Sequence, residues 1–301
     1  MSVATVDAAG ALAPPKPRHG STPSLLLTLF GDYWFGNAVP LPSAALLTLL
    51  SDFDVSEVAA RAALSRMVKH GLLDSTKSGR NAAYLPTHRG NEVLVDGLAR
   101  LSEFGARERA WDGVWSVVVV SAPGNNRRLR EAIRSRMRWL GFAPLAESVW
   151  VSPHRGPADA IAELATLGLR DVTAFAGSVP AVDGGPRRPE SAWALDSLAG
   201  EYREFIERAE GLAAALDADS LDDGQALVHR TRLAYDWLEL SNADPDLPRA
   251  LLPDSWPRAD ARSAFIDLHG RLGRRAVGRV REVVGAIDAS LASLVVHRVI
   301  A

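Results

Sequence analysis

Cysteine is absent from the 301 residues, which removes disulfides, thiolate catalysis and Cys-ligated zinc or iron–sulfur centres. Lysine occurs only at 16, 69 and 77, and the arginine that replaces it is explained most simply by genomic composition. Long apolar runs are missing as well: the longest, WSVVVVSA from Trp115 to Ala122, falls far short of the ~20 residues that cross a bilayer. Residues 1–20 have no basic start followed by an apolar stretch. Their Ala, Pro and Gly content reads as a disordered leader, and a cytoplasmic protein without membrane contact is expected.

Chemical signatures are scarce too. No Gly-Lys dipeptide of a Walker loop occurs, and no G-x-S-x-G, G-x-G-x-x-G or H-E-x-x-H. The histidines, at 19, 70, 88, 154, 229, 269 and 297, show no ligand spacing and read as surface or packing residues. No catalytic residue, metal or cofactor is therefore assigned, and the chain is read as a non-enzyme. Catalytic groups converging from distant positions leave no such signature.

What is present is a globular composition, 47% apolar and 23% charged, with a formal charge of −2 from 34 basic and 36 acidic side chains. The length exceeds one ordinary domain. Helical spacing marks Leu26, Leu29, Phe30 and Tyr33, then Leu46, Leu47, Leu49, Leu50 and Phe53 behind Pro42. A third helix opens at DVSE, capped by Asp54 or Ser56, and stops at Gly71. LLDSTKSG and RNAAYLPT read as two short strands turning around Ser78 and Gly79, and a further helix follows. Three helices and a two-stranded wing are the order of a winged helix-turn-helix, assigned to 21–105.

From Trp111 strands alternate with helices: WSVVVVSA, a turn at Pro123–Asn126, the helix RRLREAIRSRMRWLG, a single strand LAESVWVSP, the helix PADAIAELATLG and the strand DVTAFAGSV. This pattern predicts a small ferredoxin-like α/β domain over 106–185. The Gly/Pro-rich stretch 179–191 reads as a linker. Residues 186–301 are helical and form a third domain, so the fold class is α+β and multidomain. Val280, Val283, Val284, Ile287, Leu291 and Leu294 make an apolar face there that either forms a dimer contact or packs within its own chain.

Near-neutrality conceals charge blocks. Residues 56–90 carry six basic side chains against two acids, 126–140 carry six Arg against Glu131, and 183–223 carry eleven acids against four Arg. On the third helix Arg61, Ser65 and Lys69 form a stripe opposite Ala60, Ala63, Leu64 and Met67. With Lys77 and Arg80 at the tip of the wing, this is what groove reading plus phosphate contact requires. The Arg-rich helix 127–138 fits a solvated face, a second phosphate contact or a seat for an anionic ligand.

Five stretches, SLLLTLFGDYWF, DVSEVAARAALSRMVKHGLLDSTKSGRNAAYLPTHRG, WDGVWSVVVVSAP, RSRMRWLGFAPLAESVWVSP and DPDLPRALLPDSWPRADARSAF, resemble in the same order the PaaX family of bacterial transcriptional repressors. The resemblance runs over residues 24–270. It implies a winged helix, a ferredoxin-like domain and a C-terminal helical domain in a homodimeric repressor of aromatic-acid catabolic genes, typically of phenylacetate degradation. It implies release from a double-stranded DNA operator by an aryl-acyl-CoA such as phenylacetyl-CoA, and two-fold symmetry of such a dimer predicts a pseudo-palindromic site. Carried over residue by residue, DNA contact falls on Ser56, Arg61, Ser65, Arg66 and Lys69 of the helix and on Lys77 and Arg80 of the wing. An acyl-CoA needs cations for its phosphates and an apolar slot, for which Arg134, Arg138, Trp139, Trp150, Trp193 and Trp237 are the candidates.

The central stretch also resembles the small ferredoxin-like nucleases of CRISPR adaptation, which place a metal-binding Asp at the end of the first strand. Ser121, Ala122 and Pro123 stand there in this chain, so that metal site is lost. A metal-dependent nucleic-acid-processing enzyme is the alternative reading, and an effector-free architectural DNA binder is a third.

Overall fold

A computed structural model describes residues 21–78, 81–122, 124, 126–179 and 188–300. The leader over 1–20, Gly79 and Arg80 of the hairpin turn, Pro123 and Asn125, and the centre of the linker fall outside them. The fold is mixed α and β, with two small antiparallel sheets. The chain divides into two compact units, one built from the span to Gly97 with Asp222–Tyr235 and Leu272–Arg298, the other from Leu98–Leu221, Asp236–Arg271 and the residues from Val299 on. No helix among the described residues is long and apolar enough to cross a membrane.

In the first unit α1 (Thr22–Leu29) is capped by Ser21, whose Oγ accepts from the Ser24 amide at 3.4 Å, and runs on into one π-helical turn over Phe30–Trp34. Next come β1 (Leu41–Pro42), α2 (Ser43–Ser51), α3 (Glu57–Lys69), β2 (Leu73–Ser78), β3 (Asn81–Pro86) and α4 (His88–Glu103), whose residues from Leu98 on belong to the second unit. The sheet order is β1-β3-β2, and Tyr84 lies opposite both Leu41 and Ser75.

Ser56 is the cap of α3. Its Oγ accepts from the Ala59 amide at 3.3 Å, while Asp54 sits in the preceding turn at φ +61°. At the other end Gly71 takes φ +66° and the Leu72 amide donates to the Met67 carbonyl at 2.9 Å, the closure expected of a helix that stops on glycine.

Small side chains let α3 approach α1 and α2 closely, with Ala60 and Ala63 at 0% exposure. The core they enter includes residues from far along the sequence: Leu227, Ala276, Val277, Val280, Val283, Val284, Leu291 and Val295. Four of the six apolar C-terminal residues, Val280, Val283, Val284 and Leu291, are buried within their own chain, Leu294 packs partly buried against the same core, and Ile287 stays 42% exposed. Arg230 is fully buried here. Its guanidinium donates to Asp32 at 3.0 Å and to the Arg298 carbonyl at 2.7 Å, and it lies 5.2 Å from the centre of the Tyr33 ring.

The sheet of the second unit has the order β5-β6-β4-β7 and comes from the sequence β4 (Trp115–Val120), α5 (Arg127–Trp139), β5 (Ala143–Ala146), β6 (Val149–Ser152), α6 (Pro157–Thr166), β7 (Val172–Gly177). Val118, Val120 and Trp150 meet Ile133 and Met137 of α5 and Ala160 and Leu164 of α6 in its core. The single strand expected in LAESVWVSP is a hairpin, with Ala146 opposite Val149 across a turn at Glu147 and Ser148. Two features hid it: Pro144 weakens the strand signal although an edge strand tolerates it, and Glu-Ser lacks the Asn-Gly character of a recognisable tight turn.

Helix α7 (Leu195–Asp217) lies in the second unit, whereas α8 (Asp223–Ala243) and α9 (Arg258–Ile287) contribute residues to both. Within the second unit the Trp237 ring stacks on Phe265 at 5.3 Å and meets Phe205 and Phe104. The DPDLP segment is explained by a buried polar cluster. Asp244 accepts from the Tyr202 hydroxyl and from the Asp246 amide, each at 2.6 Å, and Arg258 donates to Asp246 at 2.8 Å. Burial pushes the Asp244 carboxyl upward, opposed by Arg258 and Tyr202.

Candidate nucleic-acid interface

With Ala60, Ala63, Leu64 and Met67 buried and Val68 packed against the same core, periodicity turns the rest of α3 outward. Ser56, Arg61, Ser65, Arg66 and Lys69 are all exposed, and so is Lys77 on β2. Arg80, the other wing residue, lies outside the described residues. Five of the seven expected contacts therefore share one helix and its cap. Val58, 80% exposed, and Ala62 stand among them, although the charge pattern had drawn attention only to the polar positions.

Arg61 is held by Glu57 one turn back, its Nε donating at 2.8 Å. Among the described residues no carboxylate pairs with Arg66, Lys69 or Lys77. These cations keep their charge available for an external anion, with little to release before they bind it.

The end of α3 is fastened to the start of α4: the Thr87 hydroxyl donates to the Gly71 carbonyl at 2.6 Å and Arg89 donates to the His70 carbonyl at 3.3 Å. The turn ahead of α3 is held too. Arg279 of α9 grips both carboxylate oxygens of Asp52 at 2.9 Å. A separation of 227 positions between these partners leaves no trace in local sequence.

The six residues proposed from sequence for an effector do not converge. Trp150 (3% exposed) and Trp237 (0%) fill separate cores, and Trp193 is half-buried, its ring 6.1 Å from Trp115. Arg134, Arg138 and Trp139 are exposed on α5, where Trp139 lines a cavity of about 400 Å³ with Leu140, Arg155 and Glu163. At the end of β4, where the nuclease pattern needs an Asp, the Ser121 hydroxyl donates to Ser148 at 2.8 Å. Among the described residues no three His, Cys, Asp or Glu side chains gather to hold a metal ion.

An exposed basic helix beside a hairpin in one unit, and a β-α-β-β-α-β sheet in the other, meet their counterparts in one family. Family models match in succession over residues 21–90 (PaaX-like protein), 108–190 (PaaX protein central Cas2-like domain) and 193–281 (PaaX-like protein C-terminal domain). The chain belongs to the PaaX family. Among individual proteins it is similar to the transcriptional repressor PaaX of Escherichia coli (strain K12), at 28% identity over 265 residues, 86% of this chain and 83% of that one. Among solved structures it shares its fold with the uncharacterized protein Rv0674 from Mycobacterium tuberculosis, with a TM-score of 0.54, 24% identity and coverage of 85% of this chain and 96% of that one.

Proposed function

We propose that the chain is a DNA-binding transcriptional repressor whose first unit works as a winged helix-turn-helix, with α3 as the reading helix and β2–β3 as the wing. The observation that carries this reading is the outward face of α3, where Arg66 and Lys69 stand exposed and unpaired by any described carboxylate. The β-α-β-β-α-β part of the second unit is read as a ferredoxin-like scaffold. Two copies would present two reading helices to half-sites ~34 Å apart on a pseudo-palindromic operator, in the cytoplasm.

The regulated genes are proposed to serve aromatic-acid catabolism, with an aryl-acyl-CoA such as phenylacetyl-CoA as the releasing effector. Release requires that the effector favour a conformation which the operator does not. Arg134, Arg138 and Trp139 are the solvent-facing members of the effector set and are proposed as its contacts. Mobility-shift assays on the promoters flanking the gene, with phenylacetyl-CoA, other acyl-CoAs and free phenylacetate, test both parts. The expected result is a discrete complex dispersed by the CoA ester and not by the free acid. A complex indifferent to every acyl-CoA removes the effector; no complex at ~0.15 M salt removes the repressor reading.

A further inference from the structure

We infer that Val58 and Ala62 read sequence by packing on the 5-methyl group of thymine, while Arg61 and Arg66 grip phosphates to either side. The inference rests on the DNA-binding reading and adds to it the base that is recognised. At ~100° per residue, Ala60, Ala63, Leu64 and Met67 are centred about 190° around the helix from Val58, which therefore points almost directly away from the core. Ala62, Ser65 and Lys69 fall within about 40° of Val58, whereas Arg61 lies about 60° to one side and Arg66 about 80° to the other. The outward centre is thus short and largely uncharged for its first two turns, and arginines border it.

That arrangement matches a major groove. A helix ~10–12 Å across fills a groove ~12 Å wide, so the centre of its face meets base edges and its flanks meet the two backbones. Short side chains at the centre let the helix approach closely. The one apolar group that base edges offer in this groove is the thymine methyl. Val58 is the second residue of α3, in the N-terminal part of a reading helix that contacts bases. Single exposed apolar side chains are ordinary on protein surfaces, but at 80% Val58 is the most exposed large apolar side chain described, and it stands at the centre of a basic face. The ion pair with Glu57 holds the Arg61 guanidinium along the flank.

The test uses the full chain and double-stranded DNA. Duplexes enriched from a random library are remade with each thymine replaced singly by deoxyuridine, which removes only the methyl group. At one or two positions per half-site the replacement is expected to weaken binding about fourfold, the worth of one buried methyl. Val58→Ser, a change of little helical consequence at so exposed a site, is expected to abolish the difference at one of those positions. Arg66→Ala is expected to weaken thymine and uracil duplexes alike. Uracil duplexes that bind as well as thymine duplexes, or a V58S protein that keeps the full difference, overturn the inference alone. Failure to enrich any sequence overturns the DNA-binding reading and the inference with it.

Discussion

A Cβ on Gly90 would lie 2.1 Å from the carbonyl oxygen of Leu72 and 3.1 Å from its carbon, so the backbone itself blocks any side chain there. Gly90→Ala is expected to destabilise the first unit by ~2–3 kcal/mol, the upper range for overpacked sites, seen as a lower urea midpoint at unchanged slope. Arg230 presents the opposite case, a site where a large charged side chain is indispensable. Asp32 is 1% exposed, and Arg230→Met would leave its carboxylate buried without the counter-charge. A loss of ~3–5 kcal/mol is expected, and Asp32→Asn in the same chain should restore part of it, measured as coupling in a double-mutant cycle. Beside them burial pushes the Tyr33 hydroxyl from 10.0 up to about 12, with Arg230 opposing the shift. The unfolded chain gives up this proton first, so the stability involved is intact below pH 10 and drains away as pH rises toward 12. Unfolding free energy should fall by ~2–3 kcal/mol over that window, and Tyr33→Phe should flatten the decline.

At the scale of elements, α3 was readable because each of its signals is local: a Ser cap, an inward run of Ala, Leu and Met, and a Gly stop. Its outward face follows from the same periodicity, on which the proposed contact of Lys69 rests, whereas Lys77 stands exposed on β2. Lys69→Ala and Lys77→Ala are each expected to weaken binding to specific and unrelated duplexes alike and to lower the salt dependence by about one ion released, read from log Kd against log salt. The β5–β6 hairpin was not readable, because its turn residues and Pro144 carry the wrong local chemistry for a hairpin. Trp150 and Trp237 show a related limit. An aromatic residue has the same letter whether it lines a pocket or fills a core, and only their burial at 3% and 0% separates the two. Arg134, Arg138 and Trp139 are exposed on α5, a helix for which the sequence left a solvated face, a phosphate contact and a ligand seat open alike.

For the whole molecule, the first unit takes three separated stretches of chain, and two of these lie more than a hundred residues beyond α3. Periodicity reveals that residues 272–287 have an apolar face but says nothing about where that face goes, since no local signal records a partner so distant in sequence. The consequence can be measured on a fragment spanning 21–105, which contains every helix and strand of the expected winged domain. It lacks Leu227, Ala276, Val277, Val280, Val283, Val284, Leu291 and Val295, all members of the buried cluster around α1, α2 and α3. Their absence opens the cluster that also holds Leu26, Leu46 and Leu50, each 0% exposed in the whole chain. The fragment also loses Arg230 and leaves Asp32 without it. It is therefore expected to keep helical far-UV dichroism while binding a hydrophobic dye, to unfold without a cooperative transition, and to bind DNA at least tenfold more weakly than the full chain, on the order of the free energy of one or two lost core contacts. Truncation of the full chain after Arg271 should act in the same direction but less strongly, since it removes Ala276, Val277, Val280, Val283, Val284, Leu291 and Val295 from the cluster while leaving Leu227, Arg230 and every residue of α3, β2 and β3 in place. A fragment over 21–105 that melts cooperatively and binds duplex as tightly as the full chain would show that the distant helices are dispensable to α3 and its surroundings.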